Sequence, residues 1–238
     1  MSELGEIIDA ANRIVFFGGA GVSTESGIPD FRSGGGLYSK SSGLSFAPEE
    51  VLSHSFFVQR PEEFFDYYRH NLLYPDAKPN PAHLALARLE AAGKLTAVIT
   101  QNIDGLHQSA GSKNVLELHG SVHRNTCLQC GRHFGLEHVL ATSGVPRCDC
   151  GGIIKPDVVL YEEALDAAVM TASVQQLAAA DTLIVGGTSL VVYPAAGLVQ
   201  AFQGDYLVLI NKQATPMDHL ATLVVHEPIG EALGAAVG

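Results

Sequence analysis

The chain has 238 residues, 47% of them hydrophobic, enough for one large core with a small satellite and too apolar for a disordered protein. Fourteen lysines and arginines against twenty-five aspartates and glutamates give a formal net charge of −11, which argues against nucleic acid or an anionic membrane as a general partner. That acidity suits either an ordinary soluble protein or one that meets a basic peptide.

No apolar run approaches the ~20 residues of a membrane span. The N-terminal stretch MSELGEIIDAANR lacks the basic start and apolar core of a signal peptide, so a cytoplasmic protein is expected. In chain order, RIVFFGGAG reads as a short buried strand running into glycines. Residues 38–78 break the alternation: they are helical in pattern and rich in aromatics. Next, NPAHLALARLEAAGK reads as a helix with Asn80 as N-cap, Pro81 in the first turn and Gly93 at the stop. LTAVITQN and NVLELHG are strand candidates, and residues 122–152 form a cysteine-bearing window. A helix is predicted in EEALDAAVMTASVQQLAAA, a strand in DTLIVGGTSL, a helix in YPAAGLVQAFQG and a strand in DYLVLINK. Continuous apolar strands alternating with helices predict an α/β fold, a doubly wound parallel sheet of Rossmann type. Residues 1–37, 79–121 and 153–238 are expected to build it, with 38–78 and 122–152 forming a smaller lobe.

Gly19-Ala20-Gly21 ends the first strand with little side-chain bulk, which suits either a phosphate at a helix N-terminus or merely a tight turn. A third glycine, expected at position 24 of a dinucleotide fingerprint, is replaced by Thr24. A second glycine turn, Gly186 to Leu190, favours phosphate, because ligands of parallel sheets bind beyond the carboxyl ends of the strands. Asp30, Phe31 and Arg32 follow the first turn, as a capped surface turn or as a loop that covers a reactive ring and offsets phosphate charge.

Cys127 and Cys130 have C-x-x-C spacing, and Cys148 and Cys150 follow as C-x-C. Four thiolates complete a tetrahedral zinc and leave no open position, which points to a structural site. A redox C-x-x-C is the rival, and it leaves the second pair without a role. His119 and His123 are not needed as ligands.

The motifs GAGVSTESGIPDFR, TQNIDGLHQSAG, ELHGS, the four-cysteine window, KPDVVLYEE and GTSLVVYPAA stand in this order from residue 19 to 196. Together they resemble the sirtuins, NAD-dependent protein-lysine deacylases, in the short, undifferentiated prokaryotic form. The resemblance implies a zinc ribbon and an NAD site built from Gly19, Ala20, Thr24, Phe31, Arg32 and Gln101. Ile103 and Asp104 would form the nicotinamide pocket, with Asn102 catalytic. Gly187, Thr188 and Ser189 match the second phosphate turn, and Asn211 the adenosine contact. An acetyl-lysine peptide or protein is implied as substrate, pairing as a strand between Val159, Leu160, Tyr161 and Leu190, Val191, Val192.

His119 matches the general base that takes a proton from a ribose hydroxyl, for which a pKa near ~6.5 is suited. His123, His107 and His83 keep ordinary structural roles. Sirtuins that prefer succinyl or malonyl groups carry Tyr-x-x-Arg in the helical insertion. Here Tyr68 is present and Asn71 stands at the arginine position, so a neutral acyl group such as acetyl is expected. Two rivals remain at this point. One is a protein ADP-ribosyltransferase using the same NAD site. The other is a zinc ribbon binding nucleic acid, for which Lys113, Arg124, Arg132 and Arg147 are the nearest cations.

Overall fold

The structure, a computed structural model, describes residues 2–31, 46–191 and 194–238. Arg32, Val192 and the first part of the helical insertion lie outside the described residues. Helix α1 (Glu3–Ala10), capped by the Ser2 hydroxyl, precedes β1 (Ile14–Gly18). The first glycine turn opens a 3-10 helix, Ala20–Ser26, which Gly27 ends at φ 84°. Helices α2 (Pro48–Val51), α3 (His54–Gln59) and α4 (Pro61–Asn71) occupy the insertion. Helix α5 (Pro81–Ala91) begins at the Asn80 cap with Pro81 in its first turn, as its sequence predicts.

Strand β2 (Leu95–Thr100), α6 (Leu106–Ala110) and β3 (Val115–Glu117) come next. Around the cysteine window stand β4 (Gly120–Cys127), β5 (His133–Phe134), α7 (Leu136–Ala141) and β6 (Ile154–Val158), whose strands run past 122–152 at both ends. The chain closes with α8 (Ala167–Ala179), β7 (Thr182–Gly186), a 3-10 helix Ala195–Ala201, β8 (Tyr206–Ile210), β9 (Leu223–Val225) and α9 (Ile229–Val237). The segment YPAAGLVQAFQG, predicted as an ordinary helix, is 3-10 where described. Pro194 offers no N–H, Gly197 weakens α-helix at its centre, and Gly197 N donates to Pro194 O at 3.0 Å.

Among the described residues the main sheet has six strands in the order β3-β2-β1-β7-β8-β9, all parallel. Its central strands are buried on both faces, and side chains alternate between two cores. Ile14, Phe16, Val98, Ile184 and Val208 meet α1, α5 and α9 on one face. Val15, Phe17, Ile99, Leu183 and Val185 meet α8 and the Ala195–Ala201 turn on the other. The chain leaves β1 toward β2 on one side and returns to β7 on the other. The switch point of the sheet therefore lies between the carboxyl ends of β1 and β7, where both glycine turns stand.

A second sheet, β5-β4-β6, is antiparallel. Its residues Val122 and Val158 share a core with Phe56, Phe57, Phe64, Phe65 and Tyr68 of the helical insertion, and with Leu136 and Val139 of α7. The insertion and the cysteine window thus form one small lobe, because neither has enough apolar surface to close a core alone.

Candidate functional site

The two lobes enclose a crevice of about 690 Å³, within the range of small-molecule sites. Gly19, Ala20, Thr24 and Phe31 line it from the first turn, Gln101 to Asp104 from the end of β2, and Gly187 to Ser189 from the second turn. His119, Asn211 and Val159 to Tyr161 line it as well. Leu190 and Val191 do not line it: the Leu190 side chain is buried in the sheet core at φ 54°, and Val191 is exposed.

The glycines allow a close backbone approach between the two turns. Gly21 N donates to Gly187 O at 2.8 Å, and a Cβ on Gly19 would lie 2.8 Å from Thr188 Cβ. Gly187 itself has φ +60°, a conformation that other residues rarely adopt. Across the strand ends, Gln101 Nε2 donates to Thr188 Oγ1 at 3.2 Å. Ser23, not singled out from the sequence, is central to the floor: its hydroxyl donates to Asp104 Oδ2 at 2.6 Å and accepts from Asn102 Nδ2 at 3.1 Å. Its only sequence signal was its place two residues after a glycine turn.

His119 lies just after β3 and is half-buried. Its Nδ1 sits 2.9 Å from Gln101 O. A carbonyl can only accept, so Nδ1 carries the proton and Nε2 is left with its lone pair. Burial pulls the His119 pKa below the ordinary histidine value, against the raising effect of that bond, so the ring is neutral at physiological pH. The next residue, Gly120, has φ +74°, and a Cβ there would collide with Asp157 O, so only glycine lets β4 turn away directly behind the histidine. His123 Nε2 donates instead to Asp104 O at 3.0 Å. His83 and His107 are buried between α5 and α6 with ring centroids 4.7 Å apart.

The Sγ atoms of Cys127, Cys130, Cys148 and Cys150 all lie within 4.8 Å of one another. The nearest pairs are 3.5 Å (Cys127 and Cys150) and 3.6 Å (Cys130 and Cys148), and all four are free thiols. A tetrahedron with zinc–sulfur bonds of about 2.3 Å has sulfur edges of about 3.8 Å, so the four thiols fit zinc. Gly131 (φ +72°) and Gly151 (φ +88°) follow the second cysteine of each pair and let each turn fold back. Gly131 N donates to Cys127 O and Gly151 N to Cys148 O. The cluster includes no histidine.

The edge expected to receive a peptide is already engaged in part. Val159 N donates to His119 O at 3.0 Å, Leu160 N to Glu163 Oε2 at 2.9 Å and Tyr161 N to Leu52 O at 3.0 Å. The insertion contributes Asn71, expected at the acyl position, and also Leu72 and Tyr74, which its sequence pattern did not announce. Tyr68 is fully buried and stacks on Phe64, away from the crevice lining. Asn71 Nδ2 donates to Tyr67 O, and Arg69 is turned to the carbonyls of Val139 and Gly144.

A profile of the Sir2 family matches residues 19–194. The chain is 57% identical over 239 aligned positions to an NAD-dependent protein deacetylase of Clostridium acetobutylicum, covering 100% of this chain and 98% of that one. It is 58% identical to the enzyme of the same name from Clostridium perfringens, with the same coverage. Among solved structures, a Sir2 complex with p53 peptide and NAD+ superposes with a TM-score of 0.84 at 39% identity, covering 98% of this chain and 95% of that one. A Sir2 variant holding deacetylated p53 peptide and 3'-O-acetyl-ADP-ribose gives 0.87 at 39% identity, with 99% and 96% covered.

Proposed function

The chain belongs to the Sir2 family, and from that premise we propose how its crevice serves as an NAD-dependent protein-lysine deacetylase. The overall reaction takes NAD, acetyl-lysine and water to nicotinamide, free lysine and O-acetyl-ADP-ribose. NAD supplies the leaving nicotinamide and the ribose that receives the acetyl group. The observation that carries the assignment of roles is the 2.9 Å contact between His119 Nδ1 and Gln101 O, which assigns the proton to Nδ1 and leaves Nε2 as the acceptor.

In this reading the two glycine turns line the phosphates by close backbone approach, with Thr24 and Phe31 completing that wall; the N–H groups of Gly19, Gly21 and Gly187 themselves are bonded within the chain. Gln101 and Asn211 meet the ribose and adenosine. Ile103 and Asp104 take the nicotinamide, and Asn102 is held against the reacting ribose by its bond to Ser23. His119 Nε2 accepts a ribose hydroxyl proton once the acetyl oxygen is bound. A ring kept neutral by burial is in the right state for that step. The acetyl-lysine chain enters along Val159, Leu160 and Tyr161, which line the crevice, whereas Leu190 is turned into the sheet core. The N–H groups of residues 159–161 and the carbonyls of Leu160 and Tyr161 are all bonded within the chain, so that side offers the peptide its side chains and the second lone pairs of its carbonyls.

The acyl group is neutral: among the described residues of the insertion no lysine or arginine lines the crevice, and Asn71 stands where a cation would be needed. Zinc held by the four cysteines is structural, and its part is to fix the small lobe. All four cysteines being free for one metal site supports a reducing, cytoplasmic location. No helix among the described residues is long and apolar enough to cross a membrane.

The test is an acyl-lysine peptide assay, with and without NAD, on wild type and His119→Ala. NAD-dependent release is expected from acetyl peptide in preference to succinyl peptide, and loss of the base should lower the rate by about 10²–10⁴-fold. Full activity in the variant overturns the base assignment, and higher efficiency on succinyl peptide overturns the acyl preference.

A further inference from the structure

We propose that the α5–α9 helix pair clamps the cofactor loop through Asn80 and Glu25, two positioning residues that set NAD affinity without lining the crevice. The inference rests on the NAD reading above and concerns what holds its loop in place. The segment Ala20–Ser26 is a 3-10 helix with glycine before it, within it and after it. Such a helix has poor hydrogen-bond geometry, and glycine maximises the conformational freedom to be lost on ordering. On the crevice side the loop is held by the Gly21–Gly187 and Ser23–Asp104 bonds, which belong to the site itself.

Behind the loop stands Asn80, only 5% exposed. Its Oδ1 accepts from Ala82 N at 2.9 Å, which caps α5. That bond fixes the amide orientation and turns Nδ2 toward the loop, where it donates to Val22 O at 2.7 Å and Ser26 Oγ at 3.1 Å. One amide therefore starts a helix and grips the loop at two points.

The second grip comes from the loop itself. Glu25 Oε2 accepts from Gly230 N, in the first turn of α9, at 2.7 Å. A carboxylate is favoured there by the unpaired amides of a helix start. A Cβ on residue 230 would lie 2.7 Å from Glu25 Oε1, so a side chain there would push the carboxylate aside.

The two helices form one base, since Ala82, Ala85, Leu86 and Leu89 share a core with Ile229, Ala232 and Leu233. Neither Asn80 nor Glu25 lines the crevice. If the clamp keeps the loop in its binding geometry, loosening it lowers the competent fraction and weakens apparent affinity in proportion. The peptide side, built on residues 159–161, is unaffected.

Asn80→Asp separates the two jobs of the amide: an oxygen still caps α5, but no donor faces Val22 O. Glu25→Ala removes the second grip, and Glu25→Gln keeps an oxygen able to accept from Gly230. The measurements are KM for NAD, KM for acetyl peptide, calorimetric binding of ADP-ribose and Tm. Asn80→Asp and Glu25→Ala are expected to weaken NAD and ADP-ribose by about fivefold or more each. Peptide KM and kcat at saturating NAD should stay near wild type, and Glu25→Gln should largely recover the affinity. Asp166→Ala, a cap lost elsewhere, should lower Tm without moving KM for NAD.

Unchanged ADP-ribose affinity in both Asn80→Asp and Glu25→Ala overturns the clamp, as does a parallel rise of both KM values. A wild type that binds ADP-ribose but does not deacetylate overturns the proposed function and leaves the clamp to be decided by the calorimetry.

Discussion

The division of labour among the histidines is decided residue by residue, by which atom each ring nitrogen faces. His119 presents a free Nε2 to the crevice because Nδ1 is held by Gln101 O, whereas His123 uses Nε2 on Asp104 O. His83 and His107 are buried side by side, and burial pushes their pKa values down to about 4 and about 3. Both rings are neutral in the fold, while each would bind a proton near pH 6.5 in the unfolded chain. Stability is therefore complete above pH 6.5 and falls as pH drops toward those lower values, by at most about 1.4 kcal/mol per pH unit per histidine. Urea unfolding at pH 7.5, 6.5 and 5.5 should show this slope, and His107→Phe should flatten it. Equal slopes in the two proteins would exclude the buried pair as the cause.

The same logic sets the ends of elements. The apolar pattern from Glu162 suggested one helix to Ala180, but α8 starts only at Ala167. Asp166 stops the reading there, its carboxylate accepting from Ala168 N at 2.8 Å and Val169 N at 3.0 Å. Glu162 and Glu163 are drawn the other way, to Ser55, His54 and Lys155, and Glu162 is held at φ 76°. Asp166→Ala should cost about 1 kcal/mol and lower Tm by about 2–4 °C, read by thermal unfolding with activity at 25 °C unchanged. No change in Tm would mean that the cap is not what fixes this boundary. Elements with one strong local signal, such as α5 with Asn80 and Pro81, were legible in the sequence. The 3-10 turns after β1 and after Pro194 were not, because glycine and proline say where a helix is weakened and not which hydrogen-bond pattern replaces it.

At the scale of the whole molecule, the small lobe depends on two things that neither segment has alone. The aromatic helices supply most of its core, and the cysteine window supplies a sheet whose apex holds Cys127, Cys148 and Ile154 in a separate small cluster. So small a cluster cannot hold that apex by burial, and zinc binding adds the missing free energy. Treatment with a strong chelator, or Cys148→Ser, should remove one zinc per chain and lower Tm by several degrees. The tyrosine fluorescence of the aromatic core should change in the same transition. A metal-free protein with unaltered Tm would show that the ribbon stands without metal.

What the sequence determined by itself was everything carried by short-range pattern. Buried strands show as continuous apolar runs, glycine turns as pairs, a zinc ribbon as cysteine spacing, and the proposed base, His119, as one member of an ordered series of motifs. Ser23, the clamp formed by Asn80 and Glu25, and the contribution of Leu72 and Tyr74 to the crevice became visible only in the tertiary structure. Their partners lie far along the chain, as Gly230 does for Glu25, and nothing in local composition records which distant backbone a side chain will meet. Distance in sequence is closed only by the sheet, which brings the ends of β1, β2 and β7 to one crevice and packs α5 and α9 behind it.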